Sequence, residues 1–132
     1  MSYDALAGEL FSLMCRRPEE VPFPPNGFRG QFILLRCLLE AGGEMFAGDL
    51  AEELRVTSGR ITTAIKRLEA MGFVTKRKYD ADGRKTAVAL TEAGREALLR
   101  HETQVKGFLV QRLSRLTETE AAEYVRLTQK MR

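Results

Sequence analysis

Between Thr57 and Leu90 lie the residues whose types and spacing could act on a polyanion. Ser58, Thr62 and Thr63 supply hydroxyls, Arg60, Lys66 and Arg67 supply cationic donors, and Gly59 adds no side chain. These are the groups that hydrogen-bond to base edges in the major groove and to phosphate oxygens. They share one surface if the segment is helical. Ile61, Ala64, Ile65, Leu68 and Met71 recur at the i, i+3, i+4, i+7 spacing of a single buried stripe. At about 100° per residue, the opposite side carries Gly59, Thr62, Thr63, Lys66 and Ala70, flanked by Arg60 and Arg67. With no large apolar group in the way, such a face can approach a duplex closely. Ser58, Arg60, Thr62, Thr63 and Lys66 are therefore the expected groove residues.

After Gly72 the period changes. Phe73 to Lys78 and Lys85 to Leu90 have the alternation of two short strands, and Tyr79 to Arg84 between them is rich in turn formers. The expectation is a hairpin with a charged tip, on which Lys76, Lys78 and Lys85 meet phosphate. From Thr57 to Lys85 there are eight Lys or Arg against three Asp or Glu, a local charge of +5 in a chain whose net charge is +3. The rest of the chain is thus slightly acidic, and the asymmetry points to a polyanionic partner.

Other chemistries lack their parts. The sequence has no glycine-rich phosphate loop and no nucleophile paired with a base, so an enzyme is not expected. One histidine, His101, and two separated cysteines, Cys15 and Cys37, do not make a transition-metal site, and no cofactor is expected. No apolar run approaches the roughly 18 residues of a membrane helix, and the start of the chain is acidic where a signal peptide would be basic. The expected location is cytoplasmic.

The elements that must position this surface follow from the flanking patterns. Tyr3 to Arg17 reads as an amphipathic helix, and the segment from Pro18 to Gly27, which holds all four prolines, reads as a rigid connector. Phe28 to Glu40 is an apolar helix closed by Ala41-Gly42-Gly43, and Ala47 to Leu54 is a short one ending in an Arg55-Val56 turn. Thr57 or Ser58 caps the helix that follows. Thr91 caps a long helix, and Thr117 with Glu120 has capping-box spacing at the start of a last helix that runs to about Gln129. The fold class is mainly α with a small β-hairpin wing: a winged helix-turn-helix over residues 28–90, flanked by helices in 1–27 and 91–132. Apolar positions on those flanking helices exceed what the winged part could cover: Leu6, Leu10 and Leu13, then Val105, Phe108, Leu109, Leu113 and Leu116, then Tyr124. Two arrangements would cover them, a two-fold dimer or three helices packed within one chain.

Three runs then carry a resemblance. Leu50-Ala51-Glu52-Glu53-Leu54, Arg67-Leu68-Glu69-Ala70-Met71-Gly72-Phe73-Val74, and Asp82-Gly83-Arg84 ahead of Leu90-Thr91-Glu92-Ala93-Gly94 resemble, in order and spacing, the MarR family of bacterial transcription regulators. The resemblance implies a homodimeric repressor whose recognition helices enter successive major grooves of a pseudo-palindromic operator while the wings reach the minor grooves. It implies that Arg84 inserts into a narrow minor groove, where negative potential is concentrated, and that Asp82 holds either Arg84 or Arg67 in place. The other reading of Asp82 is a turn former before Gly83. The chain departs from the family where members often have a proline and a serine, here Thr57-Ser58, and where they carry an arginine, here Thr63. Gly59 is also unusual, since glycine costs about 0.5 to 1 kcal/mol inside a helix. Either the helix begins after it, or the backbone there comes near something.

Family members are released from DNA by small aromatic ligands, metal or thiol oxidation. An unidentified small-molecule effector is therefore expected. A thiol-based sensor using Cys15, beside Arg16 and Arg17, is an alternative to a buried hydrophobe at that position. The rival of another class is a winged helix that binds protein inside a larger assembly.

Overall fold

A computed structural model describes residues 2–15, 28–79 and 85–131. The elements run α1 (Tyr3–Cys15), α2 (Phe28–Glu40), β1 (Glu44–Phe46), α3 (Ala47–Leu54), α4 (Ser58–Ala70), β2 (Val74–Lys78), β3 (Thr86–Leu90), α5 (Glu92–Leu113) and α6 (Glu118–Lys130). The chain divides into two compact units, Pro18–Leu99, and Met1–Arg17 with Arg100–Arg132. The proline-rich connector expected at residues 18–27 lies outside the described residues.

In the first unit the helices end where their sequences say they must. α2 and α4 each close with one hydrogen-bond pattern. The Gly43 N–H reaches the Leu38 carbonyl and Gly42 that of Leu39, and the Phe73 N–H reaches Leu68 and Gly72 reaches Glu69. That pattern needs a left-handed residue, and Gly42 (φ 90°) and Gly72 (φ 79°) provide it at no Cβ cost. α3 closes in the same way, with Val56 N–H on Ala51 and Arg55 N–H on Glu52, but there Arg55 takes the left-handed backbone (φ 54°). A sharp turn thereby leads from α3 into α4. Leu34, Leu35 and Leu38 of α2, Leu50 and Leu54 of α3, Ile61, Ile65 and Leu68 of α4, Val74, Val88 and Leu98 form the core on which these helices meet. At about 25 cal/mol per Å² of apolar surface removed from water, that burial dominates the stability of the unit.

The wing is a three-stranded antiparallel sheet in the order β1-β3-β2, rather than the two-stranded hairpin the alternation suggests. β1 pairs Glu44 with Ala89, Met45 with Val88 and Phe46 with Ala87, while β2 pairs with β3 from Val74–Leu90 to Lys78–Thr86. Thr91 fastens the sheet to α5. Its backbone N–H donates to the Phe73 carbonyl (3.0 Å), and its hydroxyl donates to the Gly72 carbonyl (2.6 Å) and accepts from the Gly94 N–H (3.0 Å). At Gly94 an added Cβ would sit 2.1 Å from the Phe73 carbonyl oxygen, so only glycine fits.

The second unit has its own core of Leu6, Ala7 and Leu10 from α1, Leu109 and Leu113 from α5, and Ala121 and Val125 from α6. Ser2 starts α1 by accepting from the Ala5 N–H, and the Tyr3 hydroxyl donates to the Leu116 carbonyl (2.6 Å). Thr117 and Glu120 form the expected capping box, with reciprocal bonds of 3.1 and 2.9 Å. Of the residues expected at a seam between two copies, Leu6, Leu10, Leu109 and Leu113 are therefore already covered within one chain. Leu13, Val105 and Leu116 are half-buried. Phe108 and Tyr124 remain exposed, and Leu127 and Met131 are exposed with them.

Candidate nucleic-acid interface

α4 is set by its two ends and its apolar stripe. Thr57 is the cap, its side-chain oxygen accepting from the Arg60 N–H at 3.2 Å, so Ser58 is left on the first turn with its hydroxyl uncommitted to capping. Ile61, Ile65 and Leu68 are buried, and this rotation turns Ser58, Gly59, Arg60, Thr62, Thr63, Lys66 and Arg67 outward, all of them exposed. The Thr62 hydroxyl donates to the Ser58 carbonyl (2.8 Å) and the Thr63 hydroxyl to that of Gly59 (3.0 Å). With its proton used in this way, each hydroxyl keeps lone pairs for an incoming donor. The exocyclic amines of adenine and cytosine present such a donor in the major groove.

Gly59 lies inside the helix, as its second residue, and among the described residues nothing beyond its own helix backbone and chain neighbours comes within 4 Å of the place its Cβ would occupy. Of the two explanations open from sequence, a late helix start is thus removed. The first turn therefore carries no side chain at that point of its exposed face.

The wing divides its cations between the two faces of the sheet, because neighbours along a strand point to opposite sides. Lys76 pairs in register with Val88, a core residue, so it points to the side of α4. There its ammonium lies 3.6 Å from the Glu69 carboxylate at the end of α4. Lys78, two residues on, shares that face and is exposed. Arg77 faces the other way and bridges to Glu44 of β1 at 3.3 Å. Lys85 places its ammonium 5.5 Å from the centre of the Phe46 ring. Exposed pairs of this kind are worth about 0 to 1 kcal/mol, so they hold side chains in place without preventing exchange for a phosphate.

Neither Glu69 nor Glu44 stood out in the sequence as a partner, and both are now seen to hold wing cations. The available signal was sequence position alone: Glu69 precedes the Gly72 turn that folds β2 back along α4. Asp82 and Arg84 lie outside the described residues, as does the side chain of Cys15. Cys37 of α2 is half-buried. Desolvation, with help from the Glu53 and Glu40 carboxylates, pushes its thiol up to about 11. It therefore holds its proton at neutral pH and packs against the core of the first unit. Among the described residues no group of His, Cys, Asp or Glu is arranged to hold a metal ion. No helix among them is long and apolar enough to cross a membrane.

A helix with a buried apolar stripe and a hydroxylic, cationic outer face, followed by a basic antiparallel sheet, defines the winged helix-turn-helix class of DNA-binding proteins. The chain belongs to the MarR family within it, a family of DNA-binding transcription regulators and not of enzymes. The MarR family model matches residues 29–86. The HTH-type transcriptional repressor Mb2911 of Mycobacterium bovis is 30% identical over 101 residues, 76% of this chain and 72% of that protein. The uncharacterized HTH-type transcriptional regulator YdgJ of Bacillus subtilis is 29% identical over 98 residues, 74% of this chain, and the matched part spans 60% of that protein's length. The crystal structure of wild-type MarR from E. coli in its apo form superposes with a TM-score of 0.60 at 26% identity, covering 92% of this chain and 91% of that one.

Proposed function

We propose that the chain is a homodimeric repressor of a pseudo-palindromic operator, with Ser58, Gly59, Arg60, Thr62, Thr63, Lys66 and Arg67 in the major groove. Lys76, Lys78 and Lys85 take phosphates, and Arg84, oriented by Asp82, enters the minor groove. The observation that carries this reading is the outward face of α4: six polar or cationic positions, with Gly59 among them, exposed on a helix whose opposite side is buried. A protein-docking winged helix would keep an apolar anchor on that face, since interface cores are enriched in aromatic and aliphatic groups and depleted in lysine. The sign of regulation is supported by the name of the Mycobacterium bovis relative.

The dimer is supported by Tyr124 and Leu127 on α6 and Met131 at its C-cap, which stand at i, i+3, i+7 and leave an apolar stripe exposed in the single chain. An effector that releases the operator belongs to the proposal through the family resemblance, and its chemistry is open. Selection of the preferred site from random duplex tests the whole. A two-fold-related sequence is the expected product. Lys66→Ala should then relax the preference at one base position if Lys66 reads a base edge, and weaken all duplexes alike if it touches only phosphate. Recovery of no preferred sequence would overturn the proposal.

A further inference from the structure

The outer face of the sheet carries a cluster of which the base and phosphate contacts above use only Lys85. Register places Phe46 of β1, Ala87 of β3 and Arg77 of β2 in one row, and Glu44, Ala89 and Thr75 in another on the same face. β1 and β2 flank β3 without pairing with each other. They stand about 9.6 Å apart, twice the strand spacing. Side chains can meet across that gap only if the central strand is small on this face, and it offers Ala87 and Ala89.

They do meet. Arg77 reaches Glu44 at 3.3 Å. The Phe46 and Tyr79 rings lie 5.1 Å apart at 80°, edge to face. The Arg77 guanidinium sits 5.8 Å from the centre of the Tyr79 ring, and the Lys85 ammonium 5.5 Å from that of Phe46. Ala87 beneath them is only 2% exposed, although it lies on the outer face. Tyr79 and Lys85 are also the last described residues on either side of the tip, joined by a hydrogen bond from the Tyr79 N–H to the Lys85 carbonyl (2.8 Å). A two-stranded ribbon is marginal alone. This cluster ties its far end back to the third strand.

We propose that Phe46 and Tyr79, with the Arg77–Glu44 pair, form a brace that fixes the direction of the wing and so positions its tip for duplex DNA. Phe46 and Tyr79 are positioning residues: they act on DNA through the wing, not by touching it. The inference rests on the reading that the wing meets duplex.

The test is an anisotropy titration of a labelled, selected duplex with the full chain at several salt concentrations. The variants are Phe46→Ala, Tyr79→Ala, the double variant, Tyr79→Phe and Lys66→Ala, each checked for an intact fold by thermal unfolding. Phe46→Ala and Tyr79→Ala should each weaken binding by roughly tenfold, the equivalent of one aromatic pair. The double variant should lose little more than either alone, because both break one contact. The salt slope should become shallower in all three by the phosphates the wing no longer neutralises, which a loss of fold stability alone would not produce. Tyr79→Phe keeps the ring and should bind as the wild type does. Loss of binding in Tyr79→Phe, or full binding by Phe46→Ala, would overturn the brace while leaving the DNA reading intact. A wild-type chain that bound no duplex would overturn both, and Lys66→Ala, which leaves the brace untouched, shows whether a weakened complex is still read out by the assay.

Discussion

Gly94→Ala adds a single methyl group, and the structure gives its cost. The new Cβ would lie 2.1 Å from the Phe73 carbonyl oxygen, 2.9 Å from the Phe73 carbonyl carbon and 3.0 Å from Leu90 Cδ1. An ordinary contact there is about 3.4 Å or more, and two of the three atoms are backbone, so α5 must withdraw by about 1 Å. That withdrawal strains the two hydrogen bonds through which Thr91 joins α5 to the Gly72–Phe73 turn between α4 and β2, and the cap bond from the Gly94 N–H to the Thr91 hydroxyl. Overpacking of this kind costs about 1 to 3 kcal/mol, and each weakened hydrogen bond adds about 0.5 to 1.5 kcal/mol. The gain from alanine in a helix, about 1 kcal/mol, offsets part of it. A net loss of about 2 to 6 kcal/mol corresponds to a melting temperature lower by roughly 10 °C or more in a domain of this size. Far-UV circular dichroism at fixed protein concentration measures it. Gly59→Ala is the matched control, since nothing lies within 4 Å of its Cβ position. It should raise the melting temperature by a few degrees, about 1 kcal/mol or less. A Gly94→Ala protein as stable as the wild type would refute the account of this joint.

The same control carries a second outcome: Gly59→Ala, though more stable, should bind the selected duplex more weakly, since its methyl group would stand on the exposed face of α4 proposed to meet DNA. Thr117→Ala removes the capping box of α6 and should cost about 1 kcal/mol, read as a drop of a few degrees in the same melt. Cys37 holds its proton more tightly folded, at about 11 against an ordinary 9.0. Its contribution to stability is complete below pH 9 and lost as pH rises toward 11, so a denaturant series across that range should fall more steeply for wild type than for Cys37→Ala. Leu127→Glu, on the exposed stripe of α6, should give a folded monomer by sedimentation, whereas Leu109→Glu, which charges a covered position within the chain, should unfold its unit.

What the sequence disclosed and what it withheld separate by the distance over which a signal acts. The stripe from Ile61 to Met71, the Gly72 turn, the Thr91 cap and the Thr117–Glu120 box are contained within a few residues each, and each is where local chemistry puts it. β1 was missed because Glu44-Met45-Phe46 is too short to display a period, and its partner strand begins forty residues later. With β1 went the contacts of Glu44 and Phe46, which exist only because register sets them on the same face one row from Arg77 and Tyr79. Periodicity marks Leu6, Leu10, Leu109 and Leu113 as a buried face without saying whether the cover is the same chain or another, and within one chain all four are already covered. Exposure in the folded chain separates those four from Phe108 and Tyr124.

Analytical ultracentrifugation of the chain with its selected duplex, repeated as salt is raised, tests most directly the claim that two copies grip DNA through α4 and the wing. Two copies per duplex are expected, with log affinity falling linearly against log salt at about −0.9 for each phosphate neutralised. A single copy on the duplex, or an affinity indifferent to salt, would contradict it.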